Sequence, residues 1–417
     1  MKRLREEGAH PIQDAMRSGK SVFITGAAGT GKSYIVREII QELRAAKKPG
    51  VFVTASTGIA ASLLDGTTIH SFAGAGIGTD FAPLLRAVLA STSAVARWVA
   101  CAVLVVDEVS MVDGAYFDAL DAIARACRGN TRPFGGIQVI ASGDFHQLPP
   151  VKPVKLCFEA AVWPRLFAQT TFVLRTVRRQ TDVAFAGILA RMRGAALTAA
   201  DARALALRNV PAPEGTVRLF THRAAVHAEN ARCLSDILAR THTFTATDLV
   251  PQGADAAQLD RACPAEKTVA LKVGAPVILI QNVDVEAGLY NGAQGTVVRF
   301  DTAPITRVVY PVVRFDSCVF SAIPVAFKVR AGKKVLTRTQ IPLALAFAFS
   351  IHKAQGMTLR RVEVDVGRAW EAGQVYTAFS RAVSLDGLFV RGFDPANVTA
   401  DPRVVAFYSS PNFISVW

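Results

Sequence analysis

Four short apolar runs, rich in β-branched residues and halted by glycine, a carboxylate or a stretch of small residues, punctuate the first part of the chain. They are residues 22–25 before "GAAGTGKS", 51–54 before "ASTGIAA", 103–106 before Asp107-Glu108, and "IQVIAS" before "GDFHQLPP". Runs this short are too brief for buried helices, and with no polar alternation they predict strands covered on both faces. Helical periodicity between them, as at Ile35, Ile39 and Ile40 in a helix expected from Tyr34, completes a parallel α/β sheet domain over residues 1–180. From about Thr216 the logic repeats. The runs "VRLFT", "PVILI", "ALAFAFS" and "VEVDV" alternate with helical stretches such as "RAAVHAENARCLSDIL" and predict a second parallel α/β domain over residues 181–417. The tract from Asn291 to Leu343 breaks the pattern: its short β-rich runs, parted by Gly, Pro and Asp, predict a small antiparallel barrel (about 293–343) inserted in the second domain.

Composition narrows the class. A chain of 417 residues with 51% hydrophobic residues is long enough for two or three domains and too apolar for disorder. Its apolar runs all stop short of a membrane span, and no membrane association is expected. The six cysteines are scattered singly, with no CxxC pair, so neither a zinc site nor a disulfide framework is expected and reduced thiols in an intracellular compartment are. The opening "MKRLREEGAH" carries acids and no apolar segment, unlike a secretory signal. A formal charge of +14 suits a surface that gathers polyanions by counterion release, although charge alone also fits a merely basic protein.

Chemistry concentrates at the ends of the predicted strands. Gly26-Ala27-Ala28-Gly29-Thr30-Gly31-Lys32-Ser33 is a GxxxxGKS loop between strand and helix, the context that loop requires. Its backbone N–H groups can curl round phosphates, Lys32 can reach the β and γ phosphates of ATP, and the Ser33 hydroxyl can bind magnesium. Asp107 and Glu108 close the third run, where open α/β sheets place ligand sites. Asp107 suits magnesium and Glu108 suits polarising the attacking water. After the fourth run come Asp144, His146 and Gln147; Gln147, able both to donate and to accept, suits a γ-phosphate sensor.

These residues, with motifs along nearly the whole chain, resemble the petite-integration-frequency (Pif) DNA helicases, RecD-like members of superfamily one, group B. The resemblance rests on the 21-residue signature Asp118–Gln138 and on "TASTGIAASLLDGTTIHSFAGAGIG", "LRTVRRQ", "FSIHKAQGMTL" and "VYTAFSRAVSLDGL". It implies two RecA-like domains with nucleotide between them, the inserted barrel being SH3-like, and a wedge insertion at about 73–100 that meets the duplex fork. It also implies a monomeric motor moving 5′ to 3′ on single-stranded DNA and unwinding duplex, forked or G-quadruplex DNA in repair, replication, recombination and telomere maintenance. The compartment implied is nucleus or mitochondrion in a eukaryote, cytoplasm in a bacterium, or the host cell of a virus.

Residue by residue, the resemblance places Arg179 and Arg381 on the phosphates across the cleft. The residues alone do not choose between Arg178 and Arg179, and the family register leaves Arg178 as a surface or linker charge. Gln355 and Gly356 fall at the nucleotide. Thr57, His70, Ser350, His352 and Lys353 are expected to line a single-strand track, the small and hydroxyl residues about Thr57 permitting close backbone approach. The family's adenine-reading glutamine corresponds in spacing to Ala9, with Gln13 out of register, so no adenine reader is assigned. Two other classes compete with a motor. A P-loop ATPase that does not move on DNA leaves the second α/β domain and the arginine motifs unexplained. A catalytically weak nucleic-acid-binding module leaves Lys32, Ser33, Asp107, Glu108 and Gln147 unexplained.

Overall fold

The computed structural model describes residues 11–76, 78–150, 154–180, 182–284, 287–289, 291–304, 307–331, 334–411 and 413–416. They divide into two compact units, residues 1–212 with 351–417, and residues 213–350.

The first unit is built on a seven-stranded parallel sheet. Its order across the sheet is Ile414–Val416, Thr171–Leu174, Val22–Gly26, Gln138–Ser142, Val103–Asp107, Val51–Ala55 and Thr67–Thr68. The predicted four strands are its centre, and each is buried on both faces. Val22, Ile24, Val103, Val105 and Ile140 pack with Val36, Ile39, Ile40 and Leu43 of the helix Lys32–Ala45. The alternate residues Phe23, Leu104, Val106, Val139 and Ala141 pack on the other side with Phe117, Leu120 and Ile123 of the helix Gly114–Arg128. Period-two packing against two covered faces explains why these runs show no alternation of apolar and polar positions. The first of these helices starts two residues before the expected Tyr34, because Gly31 takes the left-handed N-cap position (φ 94°).

The signature segment is a brace. Asp121 accepts from the backbone N–H of Phe134 (2.6 Å), and Arg128 donates to the carbonyls of Gly135 (2.8 Å), Val99 and Cys101 (2.7 Å each). It thereby ties the C-terminal end of the helix Thr92–Ala100 to the turn Pro133–Gly136. The stretch expected as a wedge contains two short helices, Phe81–Leu89 and Thr92–Ala100, with Leu84, Val88, Ala94 and Trp98 buried. Trp98 donates to the carbonyl of Ala73 at 3.1 Å. Residues 351–417 also belong to this unit. They contribute the parallel pair Val362–Asp365 and Leu388–Arg391, the helix Gln374–Phe379, and the strand Ile414–Val416 on the edge of the main sheet. This partition by compactness runs at different places from the expected boundary at residue 180.

In the second unit, Val217–Phe220 and Ala348–Ser350 pair in parallel as expected, with the helix Arg223–Asp236 between them in sequence. The run "PVILI" is a correction. Its strand Pro276–Leu279 pairs antiparallel with Gln294–Thr302 and Leu343–Leu345, because a short apolar run carries no sign of the direction of its partners. Val309–Phe315 and Val319–Ser321 complete that antiparallel sheet of five. The hairpin Val325–Ala331 with Lys334–Gln340 pairs antiparallel with Thr247–Leu249. The six cysteines are free thiols. Among the described residues no His, Cys, Asp and Glu cluster could hold a metal, and no helix is long and apolar enough to cross a membrane.

Candidate functional site

A cavity of about 670 Å³ in the first unit is lined by Lys32, Ser33, Asp107, Glu108, Gln147, Arg178, Arg179, Gly356 and Arg381, together with the loop glycines 29 and 31. Every element contributing to it ends there for a local reason. The strands of Gly26, Asp107 and Ser142 lie side by side and parallel, so their carboxyl ends share one sheet edge. Gly29 has φ 81°, and a Cβ there would meet Gln180 Oε1 at 2.6 Å and Arg179 Cβ at 2.7 Å. The segment after the strand Thr171–Leu174 therefore lies against the phosphate loop, and the N–H groups of Arg178 (2.7 Å) and Arg179 (3.1 Å) donate to the Gly29 carbonyl.

Lys32 Nζ donates to the carbonyls of Gly26 (2.8 Å) and Ala27 (3.0 Å), folded back along its own loop. Burial lowers its pKa, against the opposing pull of Asp144 and Glu108. Ser33 Oγ lies 3.4 Å from Asp107 Oδ2. Burial and the neighbouring Glu108 push the Asp107 carboxyl up to about 6 while the Ser142 hydroxyl donates to its Oδ1. Glu108 sits in the left-handed region (φ 52°, ψ 43°), a conformation that costs a non-glycine residue about 1–3 kcal/mol and marks functional sites. Its Oε2 accepts from Gln355 Nε2 at 2.9 Å, while the buried Oε1 of Gln355 has no partner among the described residues.

Arg381, 1% exposed, reaches the cavity from the end of the helix Gln374–Phe379. It donates through Nε to the Thr377 carbonyl (2.9 Å) and through Nη2 to Ser380 Oγ (2.8 Å) and Gln147 Oε1 (3.3 Å). Burial first, then the charge of Arg179, bring its pKa down to about 9. Arg179 Nη1 donates to the Ser380 carbonyl at 2.9 Å, and burial lowers its pKa as well. The two arginines thus share a backbone segment and one cavity. Arg178, read as a surface or linker charge, is exposed and lines the same cavity.

Asp144 has a different task from its neighbour Gln147. Fully buried, it takes a two-pronged ion pair from Arg193 (Nη2–Oδ1 2.8 Å, Nε–Oδ2 3.2 Å). Burial would raise its pKa, but Arg193 and Lys32 hold it well below the usual carboxylate range. The hydroxyls of Tyr376 (3.3 Å) and Tyr408 (3.5 Å) donate to the same carboxylate. Tyr376 also accepts from the backbone N–H of Ala28 at 2.7 Å, so the phosphate loop leans on the helix that delivers Arg381. His146 stacks on Tyr408 at 4.9 Å, and burial with Arg193 brings its pKa down to about 4, leaving it neutral. Arg193, Tyr376 and Tyr408 carry no spacing signal to Asp144.

The expected strand contacts are spread more widely. Thr57 Oγ1 accepts from the Ala60 N–H (3.2 Å) at the start of the helix Gly58–Leu63. His70 stacks on Tyr116 at 4.7 Å, and burial lowers its pKa. His352 Nε2 stands 3.5 Å from Glu371 Oε2, and Lys353 is exposed. Ser350 ends a strand of the second unit. Ala9 lies outside the described residues, and Gln13 falls in the helix Pro11–Arg17.

The PIF1-like helicase model matches residues 10–188, and the DNA helicase Pif1 2B domain model matches residues 256–300. The chain is 43% identical over 419 residues to the human ATP-dependent DNA helicase PIF1, covering 98% of this chain and 64% of that protein. It is 35% identical to the ATP-dependent DNA helicase RRM3 of Saccharomyces cerevisiae over 93% of this chain and 65% of that one. It therefore spans less than two thirds of the length of either helicase. The crystal structure of Pif1 helicase from Candida albicans superposes with a TM-score of 0.89 at 36% identity, over 96% of this chain and 99% of that one. Bacteroides Pif1 bound to single-stranded DNA superposes with a TM-score of 0.74 at 26% identity, each chain being covered to 96%. The family-model match spans the phosphate loop, the acid pair and Arg179, and the chain belongs to the PIF1-like helicase family.

Proposed function

We propose that this chain is the motor of an ATP-dependent DNA helicase that moves 5′ to 3′ on single-stranded DNA and unwinds duplex or structured DNA ahead of it. The observation that carries this reading is the gathering of Lys32, Glu108, Gln147, Arg179 and Arg381 round one cavity. The names of its relatives and the binding of single-stranded DNA by Bacteroides Pif1 support it.

The residues fit a nucleoside triphosphate with magnesium. Lys32, now folded onto two carbonyls, would exchange them for the β and γ phosphates, a stronger charge-assisted pairing. Ser33 and the buried Asp107, 3.4 Å apart, are the hard oxygen donors that magnesium prefers. When bound, the ion would neutralise developing phosphate charge. Glu108, oriented by Gln355, is the base that takes up the proton of the attacking water, and the leftover acceptor of Gln355 can hold that water in line. Gln147 answers to the γ-phosphate and is already hydrogen-bonded to Arg381. Arg179 and Arg381 stabilise the transferring phosphoryl group. Thr57, His70, Ser350, His352 and Lys353 contact the strand, mainly through its backbone. The division into RecA-like domains at residue 180, the SH3-like barrel at 293–343 and the fork-facing wedge at 73–100 belong to the same proposal.

The test is ATP turnover with and without oligothymidylate, then strand displacement on duplexes carrying a 5′ or a 3′ single-stranded tail. DNA-stimulated turnover and displacement from the 5′ tail are expected. Turnover indifferent to DNA would overturn the motor, and displacement from the 3′ tail alone would overturn its direction.

A further inference from the structure

We propose that Trp370 is a base-stacking contact with single-stranded DNA, presented by a loop that also abuts the nucleotide site. The inference rests on the helicase reading above and adds to it a residue outside the strand contacts named there. Trp98 and Trp163 are buried at 0% and 4% exposure, whereas Trp370 is 60% exposed. An exposed indole on a rigid support is the platform that sequence-tolerant single-strand binders use.

The support is rigid on three counts. The backbone N–H of Trp370 donates to Oε1 of the fully buried Gln374 at 3.1 Å. The next residue, Glu371, stands 3.5 Å from His352. This places the indole one residue from the side chain that stands beside a proposed strand contact. Gly373 (φ 76°) backs directly onto the segment carrying the γ-phosphate sensor, since a Cβ there would meet the His146 carbonyl at 2.3 Å and that of Gln147 at 2.9 Å. Arg368, exposed two residues upstream, adds positive charge. The helix Gln374–Phe379 begins at the loop's end and leads to Arg381. A base stacked on Trp370 would therefore load the loop that touches both Gln147 and the arginine-bearing helix.

The experiment titrates the full chain with unlabelled oligothymidylate, following tryptophan fluorescence and, separately, binding by anisotropy of a labelled oligonucleotide, for wild type, W370A and W370F. Stacking predicts quenching in wild type that is absent from W370A. It also predicts affinity lowered roughly 5- to 150-fold in W370A and within about threefold of wild type in W370F. Because stacking neutralises no phosphate, the slope of log affinity against log salt in W370A should match wild type. A changed slope would mean that the variant had disturbed His352 or Lys353 and would overturn the assignment. So would W370A binding as tightly as wild type, with stimulated ATP turnover intact, and that result would leave the helicase reading standing. A wild-type chain that binds no oligothymidylate would overturn both.

Discussion

Replacing Arg193 with alanine should destabilise the protein more than any change at the cavity wall. The substitution strips a carboxylate that is 0% exposed of its ion-pair partner at 2.8 Å, and removes a guanidinium lying 4.6 Å over the Tyr408 ring. Breaking one side of a buried pair costs about 3–5 kcal/mol, because the charge left behind is uncompensated. The cation–π contact, about 0.5–2 kcal/mol alone, shares the same geometry and does not simply add. The expected loss of about 3–5 kcal/mol at pH 7 should appear as a lower urea midpoint with an unchanged slope. The pH dependence carries a sign. In the wild type Asp144 is held below its ordinary value, so its contribution is fully present above the unfolded pKa of about 3.9 and is lost as pH falls through the folded value. In Arg193→Ala burial lifts the same carboxyl above its unfolded pKa, and the variant gains stability as acidification protonates it. The gap between the two proteins should thus be widest near neutrality and shrink towards pH 4. Tyr376 joins Asp144 to the N–H of Ala28, so nucleotide affinity should fall as well. A gap below about 1 kcal/mol at pH 7, or one that widens on acidification, would refute the account of Asp144 as a buried hub.

The remaining predictions concern the cavity itself. Lys32→Ala should abolish ATP turnover while leaving affinity for single-stranded DNA within about threefold of wild type, since phosphate contacts along the strand do not involve it; filter binding beside a phosphate-release assay checks both. Glu108→Gln should bind ATP and not turn it over, visible as retained nucleotide on rapid gel filtration, whereas joint loss of binding and turnover would make Glu108 a structural residue. Arg381→Met should cut DNA-stimulated turnover by roughly 10³-fold or more without lowering the thermal unfolding midpoint of the nucleotide-free protein.

Much of this site was legible because its chemistry is local. A GxxxxGKS loop, an acid pair ending one strand and a glutamine just past the next are each contiguous in sequence, and a parallel sheet brings strand ends together whatever the loops do. What escaped was long-range. Tyr376 meets Ala28 and Asp144 across more than two hundred residues, and no spacing announces such a pairing. The strand Ile414–Val416 is too short to read and gains its place only by pairing with Thr171–Leu174. Strand direction at Pro276–Leu279 was equally unreadable, since an apolar run buried on both faces looks the same in either orientation. The sequence offers His70 as a DNA contact by its chemistry, and a stacking partner such as Tyr116 does not show in sequence.

Arg381 brings these strands of argument to one point. Among the described residues neither it nor Arg179 has a carboxylate within ion-pair distance; carbonyls and neutral side chains take up their donors. Burial opposes the charge of both, and Arg179 further lowers the readiness of Arg381 to hold its proton. Lys32, in the same cavity, is disfavoured as a cation for the same first reason. A folded state that keeps these three cations near one another, answered by Asp107, Glu108 and an Asp144 already paired with Arg193, is electrostatically unfinished, and a polyphosphate is the anion whose charge and reach complete it. Substituting a neutral side chain of similar volume removes that repulsion along with the function, which is why Arg381→Met should keep or raise stability while turnover collapses. An arginine held there for the fold alone would give the opposite pair of results, a lower midpoint with near-normal turnover.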